Sequence, residues 1–212
     1  ELAVMCRWAK DSVSVDRLQS SLRLMISGSP HRGVRGAATL SLAAILIDES
    51  FGSHANDAEI VQLLKRLKDD YADSRYAESA DGYLFEIENL RLGREAPDFE
   101  SRDQDDRLFR LSDYRGKCVI LNFWGKWCAT CRTSLSGYKA LAERMTDRPF
   151  ALLGINSDGD ARTVRRILAE DGISWRNAVD GSKTGPIATR WNIRVWPTTY
   201  LLDGKGRIVD KN

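Results

Sequence analysis

Cys118-Val-Ile-Leu-Asn-Phe-Trp124, continued by Gly-Lys-Trp-Cys-Ala-Thr-Cys-Arg132, is the stretch whose reading decides the fold of this chain. The first seven residues form a short apolar run without helical period, as expected of a buried strand. A helical pattern follows from about Ala129 to Met145. Between them, Cys128 and Cys131 stand two residues apart. A strand that runs into Cys-x-x-Cys and opens a helix places the first thiol at the helix N-terminus. Unpaired backbone N–H groups and a partial positive charge collect there and favour a thiolate. Such settings lower a cysteine pKa from about 8.5 toward roughly 3.5–7.5. One helical turn on, the second cysteine can close or open a disulfide with the first. Two other chemistries use the same spacing. A zinc site needs a second close ligand pair, or histidines. Elsewhere the chain offers Cys6, Cys118, His31 and His54, none of them paired in sequence. A purely structural disulfide is the other alternative, although short Cys-x-x-Cys loops are better known as labile redox pairs.

Downstream of the pair, strand and helix signals alternate. Phe150 to Asn156 is a second buried strand, Ala161 to Glu170 a helix and Ile187 to Trp191 a shorter one. Thr198 to Leu202 is a strand, Asp203-Gly204-Lys205-Gly206 a hairpin turn, and Arg207-Ile208-Val209 its partner. Upstream, Phe99 and Leu108-Phe109 suggest a short hairpin. This grammar predicts a central sheet covered by helices on both faces. It breaks at Gly93-Arg-Glu-Ala-Pro97. Before that point the chain reads as helix after helix. Leu18, Leu22, Met25 and Ile26 recur at helical spacing, as do Leu40, Ala43, Ala44 and Ile47, and then Ile60, Leu63, Leu64 and Leu67. Turn chemistry separates them at Ser27-Gly28-Ser29-Pro30, Gly52-Ser53 and Asp73-Ser74. Asn56 or Asp57 is an expected N-cap, and Gly36-Ala37-Ala38 would let two helices approach closely. The organisation expected is an all-α helical-hairpin domain over residues 1–93 and an α/β domain over 94–212. The stretch from Leu67 to Ala80 also resembles one helix-turn-helix junction of a tetratricopeptide-type repeat.

Composition narrows the function. Of 212 residues, 42% are hydrophobic and 29% charged, the profile of a soluble globular protein. No window approaches the ~20 apolar residues of a membrane span. A net charge of +2 gives no case for nucleic acid. Four cysteines in this length do not make a disulfide scaffold. The chain starts at Glu1 without a methionine or signal peptide, which suggests an excised or processed piece. The redox pair itself fits an oxidising, extracytoplasmic or periplasmic compartment.

At the level of motifs, residues 94–212 resemble a thioredoxin-fold domain of the TlpA/ResA type within the redoxin group. Glu95-Ala-Pro-Asp-Phe99 and Leu111-Ser-Asp-Tyr-Arg-Gly-Lys117 resemble that family's opening segment. Asn122-Phe-Trp-Gly-Lys-Trp-Cys-Ala-Thr-Cys-Arg132 resembles its active-site segment, and Trp196-Pro-Thr-Thr-Tyr-Leu-Leu-Asp203 its Pro-Thr-Thr strand. The resemblance implies an α/β thioredoxin-like fold, preceded here by the all-α domain. It implies that Cys128 is the nucleophile, Cys131 the resolving thiol and Pro197 a cis-proline facing the pair. It also implies that Trp127, Ala129, Thr130, Trp196 and Pro197 line the surface where an extended substrate segment docks by strand addition. A complete fold of this type adds a C-terminal helix, so the end at Asn212, straight after the last strand, suggests truncation.

Several positions depart from the pattern. Ala129-Thr130 stands where reducing thioredoxins carry Gly-Pro. Asn122 stands where thioredoxins bury an aspartate, and Arg132-Thr-Ser-Leu-Ser-Gly137 lacks the glutamate common after the second cysteine. Proton handling at Cys131 would then fall to water or another group. Lys126 and Arg132 flank the pair and would lower the thiol pKa if close, but solvated surface charges are the expectation. Trp196 either narrows the groove or packs on Trp127. Cys118 and Cys6 are expected to be small buried residues, and His31, His54, Arg162, Arg165 and Arg166 to be solvated.

Three functions compete. In the leading one, a thiol–disulfide oxidoreductase acts on protein disulfides, with electrons from a separate thiol protein and no cofactor, since no flavin or nicotinamide fingerprint is present. A thiol peroxidase of peroxiredoxin type is the second. Its peroxidatic cysteine follows a threonine three residues upstream, where this chain has Gly125. In the third, the helical domain binds a partner and the redox half responds to redox state.

Overall fold

The computed structural model describes residues 14–51 and 53–212, so Cys6 lies outside the described residues. The chain divides into two compact units, Glu1–Arg91 and Leu92–Asn212.

The described residues of the first unit form four helices, α1 (Val15–Gly28), α2 (Arg32–Glu49), α3 (Asp57–Asp70) and α4 (Arg75–Asn89). The flanking helices bury single stripes: Leu22 and Ile26 on α1, Ile60, Leu64 and Leu67 on α3, and Ala80, Tyr83 and Ile87 on α4. Central α2 buries every residue from Ser41 to Ile47, so it is enclosed on all sides. Gly36 has a concrete reason. A side chain there would run into the rings of Tyr71 and Tyr76, which pack edge-to-face at 6.1 Å. Asn56 occupies the N-cap of α3 without a side-chain cap bond, whereas the Ser74 hydroxyl accepts Tyr76 N–H at the start of α4. Arg91, which the sequence did not single out, is buried. Its guanidinium donates to Ser50 O (2.6 Å), Ser50 Oγ (3.0 Å) and Asp57 Oδ1 (2.7 Å), placing a cation at the carboxyl end of α2.

The second unit is built on a five-stranded sheet, ordered β5-β4-β3-β6-β7. Its strands are β3 (Cys118–Trp124), β4 (Phe150–Asn156), β5 (Asn177–Val179), β6 (Thr198–Leu202) and β7 (Ile208–Lys211). β3 runs parallel to β4 and antiparallel to β6. Helices α5 (Ala129–Arg144), α6 (Ala161–Glu170) and α7 (Pro186–Arg190) form the connections, and a separate hairpin pairs β1 (Glu100–Arg102) with β2 (Leu108–Arg110). β3 is central because its run is apolar on both faces, and Leu121, Phe123 and Trp124 are fully buried. Buried Asp103 ties the hairpin to the sheet edge. Its carboxylate pairs with Arg176 at 3.0 Å and accepts Asp105 and Arg107 N–H groups. The fold is a thioredoxin-like mixed sheet, with helical elements preceding it in the chain.

Candidate active site

The end of β3 delivers the cysteines. Trp124 is the last strand residue, and Cys128 is the N-cap of α5 in extended backbone conformation. Cys128 and Cys131 are joined by a disulfide, with their Cα atoms 5.2 Å apart. Cys128 Sγ also accepts Cys131 N–H at 3.1 Å. The sulfur therefore sits where a cap oxygen ordinarily accepts the first free N–H groups of a helix. When the bond is reduced, the same N–H and the helix dipole are in place to stabilise a thiolate. Both cysteines lie in the apolar cluster with Leu135, Leu152 and Trp175, and Trp196 packs against it.

The loop between strand and helix is held from several sides. Ser157, just past β4, accepts Trp127 Nε1–H at 3.0 Å and donates to Trp124 O at 3.2 Å. Asp158 accepts Lys126 N–H at 2.7 Å and the Asn156 amide at 2.9 Å. A side chain at Gly125 would run into Trp127 and Ser157, so the loop folds tightly back on itself. Lys126 is a partly exposed charge that is also paired. Its ammonium meets Glu170 at 2.8 Å and Asp171 at 3.2 Å, at the far end of α6. Hydrogen bonding to Glu170 raises the Lys126 pKa, and the same bond lowers that of Glu170. Neither Ser157 nor Asp158 was picked out from sequence. A signal existed: Asn156-Ser-Asp-Gly-Asp160 follows a parallel strand, and sites in α/β sheets gather beyond the carboxyl ends of such strands.

Of the predicted docking residues, Trp127 is 42% exposed, and its ring meets that of Trp196 at 5.4 Å, nearly perpendicular. Trp196 thus packs on Trp127. The Trp196–Pro197 peptide bond is cis. Ala129 and Thr130 are exposed on the first turn of α5. Arg132 is exposed, and among the described residues no ion pair involves it. Asn122 is buried, where a chain of neutral groups replaces the expected carboxylate. Tyr138 Oη and Thr199 Oγ1 share a hydrogen bond at 2.9 Å, and Thr199 donates a long 3.4 Å one to Asn122 Oδ1. Cys118 is half-buried rather than fully buried, and burial pushes its pKa up. His54 is engaged by Asp57 at 2.6 Å. Among the described residues no cluster of His, Cys, Asp or Glu is fit to hold a metal ion.

With this geometry in hand, the kinships are informative. The profile of the AhpC/TSA family matches residues 92–211. The chain belongs to the AhpC/TSA family. A relative from Bacillus thuringiensis subsp. konkukian, thiol-disulfide oxidoreductase ResA, is 27% identical over 130 residues, 61% of this chain and 74% of that protein. Thioredoxin-like protein YneN of Bacillus subtilis is 32% identical over 124 residues, covering 57% of this chain and 71% of its own length. Among solved structures, a putative thiol:disulfide interchange protein DsbE from Chlorobium tepidum superposes with a TM-score of 0.52 at 26% identity. The match covers 57% of this chain and 84% of that one. This family member is an oxidoreductase with a thioredoxin-like fold, and Cys128 and Cys131 form a disulfide in it.

Proposed function

We propose that this protein exchanges thiols and disulfides with other proteins through Cys128 and Cys131. The observation that carries the reading is the disulfide at the first turn of α5, with Cys128 Sγ accepting a helix N-terminal N–H. In the reductive direction, the Cys128 thiolate attacks one sulfur of a substrate disulfide and expels the other as a thiolate. The Cys131 thiol, once deprotonated, attacks Cys128 Sγ and releases the second substrate thiolate. The substrate gains two electrons and the pair of cysteines returns to the disulfide. A separate thiol protein then reduces it again. Trp127, Ala129, Thr130, Trp196 and Pro197 form the surface against which the substrate segment lies. The compartment is an oxidising one outside the cytoplasm, and no helix among the described residues is long and apolar enough to cross a membrane. We assign partner binding to the helical half, residues 1–93, where Leu24, Met25 and Val34 stay exposed.

The test is Cys131→Ser. This variant should accumulate mixed disulfides through Cys128, visible as slower bands on non-reducing gels and lost on adding dithiothreitol. Cys128→Ser should accumulate none. Absence of trapped species from Cys131→Ser, together with rapid peroxide consumption by the wild type, would move the assignment to a peroxidase.

A further inference from the structure

Lys183 stands 3.8 Å over the ring of Trp127, the exposed indole directly preceding the nucleophile Cys128. Neither end of this contact is loosely held. Trp127 is fixed by its Nε1–H bond to Ser157. Lys183 lies inside the Ser182–Gly185 turn, closed by Gly185 N–H to Ser182 O at 3.0 Å and by Thr184 N–H to Ser182 Oγ at 3.2 Å. That turn is moored by buried Asp180, whose carboxylate accepts the N–H groups of Ile187 and Ala188. A side chain at Gly185 would run into Asp180 itself, so the turn is pressed against its anchor.

An aromatic face orients a cation without cancelling its charge. Among the described residues Lys183 forms no ion pair, and it is exposed. The carboxylates of the surrounding elements are hydrogen-bonded or ion-paired elsewhere, although those that meet only N–H groups keep their charge. Asp158 holds the Lys126 N–H, Glu170 and Asp171 hold the Lys126 ammonium, and Asp180 is buried. Arg132, on the turn that follows the pair, adds a second exposed cation. The rim of the redox site therefore presents, at Lys183, an ammonium without an ion-pair partner among the described residues, seated on an aromatic floor.

We propose that Lys183 is a specificity-determining residue, selecting disulfide partners that carry acidic groups beside the reacting cysteine. This rests on the exchange reading above. An arriving carboxylate meets an ammonium already held beside Trp127, so little side-chain freedom is lost on contact. The charge steers encounter and favours the complex in which Cys128 attacks.

The experiment uses the reduced full chain and three probe disulfides: glutathione disulfide (net anionic), cystamine (cationic) and hydroxyethyl disulfide (neutral). The rate of Cys128 thiol loss is followed by acid quench and mass spectrometry for wild type, Lys183→Ala and Lys183→Glu. The ratio of the glutathione disulfide rate to the cystamine rate should fall roughly two- to fivefold in Lys183→Ala, the scale of one exposed charge pair, and further in Lys183→Glu. The difference should shrink at about 1 M salt, where the Debye length is about 3 Å against about 10 Å at 0.1 M. An unchanged ratio in a folded Lys183→Glu would overturn the proposal while leaving the exchange reading intact. So would an equal slowing toward all three probes, which would mean that Lys183 only positions Trp127 or Cys128. If the wild type exchanges with none of the probes, the exchange reading fails and this one with it.

Discussion

Trp124 and Trp127 are three residues apart, and the chain treats them in opposite ways. Trp124 closes β3, is fully buried, and donates its indole N–H to Asn177 Oδ1 at 2.7 Å. Trp127 is 42% exposed, donates to Ser157, offers its face to Lys183 and meets the Trp196 ring edge-to-face. Across the two residues between them, the segment passes from the core of a sheet to the rim of a redox site. One indole fixes where the strand ends. The other is what the strand's end presents to solvent. Strand alternation does not produce this difference. It comes from Gly125, which lets the loop turn back tightly, and from Ser157 and Asp158, which hold it there.

The strongest way to break the comparison is to remove the buried ring. Trp124→Ala should cost about 3–5 kcal/mol, the range for deleting a large buried aromatic side chain. Urea denaturation of the oxidised protein would show it. Trp127→Ala should cost about 1 kcal/mol, since its contacts are an exposed cation–π pair, one ring contact with Trp196 and one hydrogen bond to Ser157. Its effect belongs in the exchange rate with a protein disulfide. Equal destabilisation by the two variants would mean that Trp127 is a core residue and that the division drawn here is wrong.

Asn177→Ala gives a finer cut. It leaves both rings in place but orphans the Trp124 N–H inside the sheet, at a cost of about 1–3 kcal/mol. Gly154 shows how tightly this pair is packed, because a side chain there would run into both the Asn177 amide and the Trp124 indole. Asn177→Asp tests the same contact from the other side. It keeps an acceptor but buries a charge, so its penalty should ease as pH falls and the carboxyl protonates. A penalty independent of pH would show that the hydrogen bond, rather than the charge, is what fails.

How much of this was legible beforehand depends on where each residue finds its partners. The apolar run of β3, the Cys-x-x-Cys at a helix start and the segments Phe150–Asn156 and Thr198–Leu202 carry their own local signals, and the structure places strands and helix there. β5 was missed. Its three residues begin with the polar Asn177 and are too few to show a period, and the strand exists because the edge of β4 offers it a ladder. The Lys126 ion pair was not legible because its partners lie 44 and 45 positions away, at the end of α6. Asp158 and Lys183 were invisible for the same reason: each acts on a residue from a distant segment.

Cys118 sharpens the contrast between the thiol at the start of α5 and an inert one at the start of β3. Burial raises its pKa, and the nearby Asp203 charge adds to the effect. A raised thiol pKa keeps the neutral, unreactive form across neutral pH. In the reduced protein, iodoacetamide at pH 7 should therefore modify Cys128 first, and Cys118 should gain reactivity only as pH rises above its ordinary value near 9. Peptide mass mapping over a pH series reads both sites at once. Early labelling of Cys118 would show that helix-end placement does not separate the two thiols.

The smallest effect expected concerns Lys126, which stands between the two tryptophans and is exposed enough that its ion pairs are screened by solvent. Hydrogen bonding to Lys126 holds the Glu170 carboxyl below its ordinary value near 4.5. A depressed acid contributes stability that is present above that ordinary value and is lost as pH falls through the folded one. The Lys126 pKa is raised above its ordinary 10.5, so its contribution is fully present below 10.5 and is lost as pH rises through the folded value. The pair therefore stabilises the loop across the whole neutral range. Glu170→Gln should lower the melting temperature slightly at pH 7, with the gap to wild type closing as pH falls below about 4. Because Arg166 also bonds Glu170, at 2.7 Å, Lys126→Met is the companion variant that isolates the loop's share. A gap that stays constant down to acid pH in both variants would mean that the ion pair is not what holds the loop.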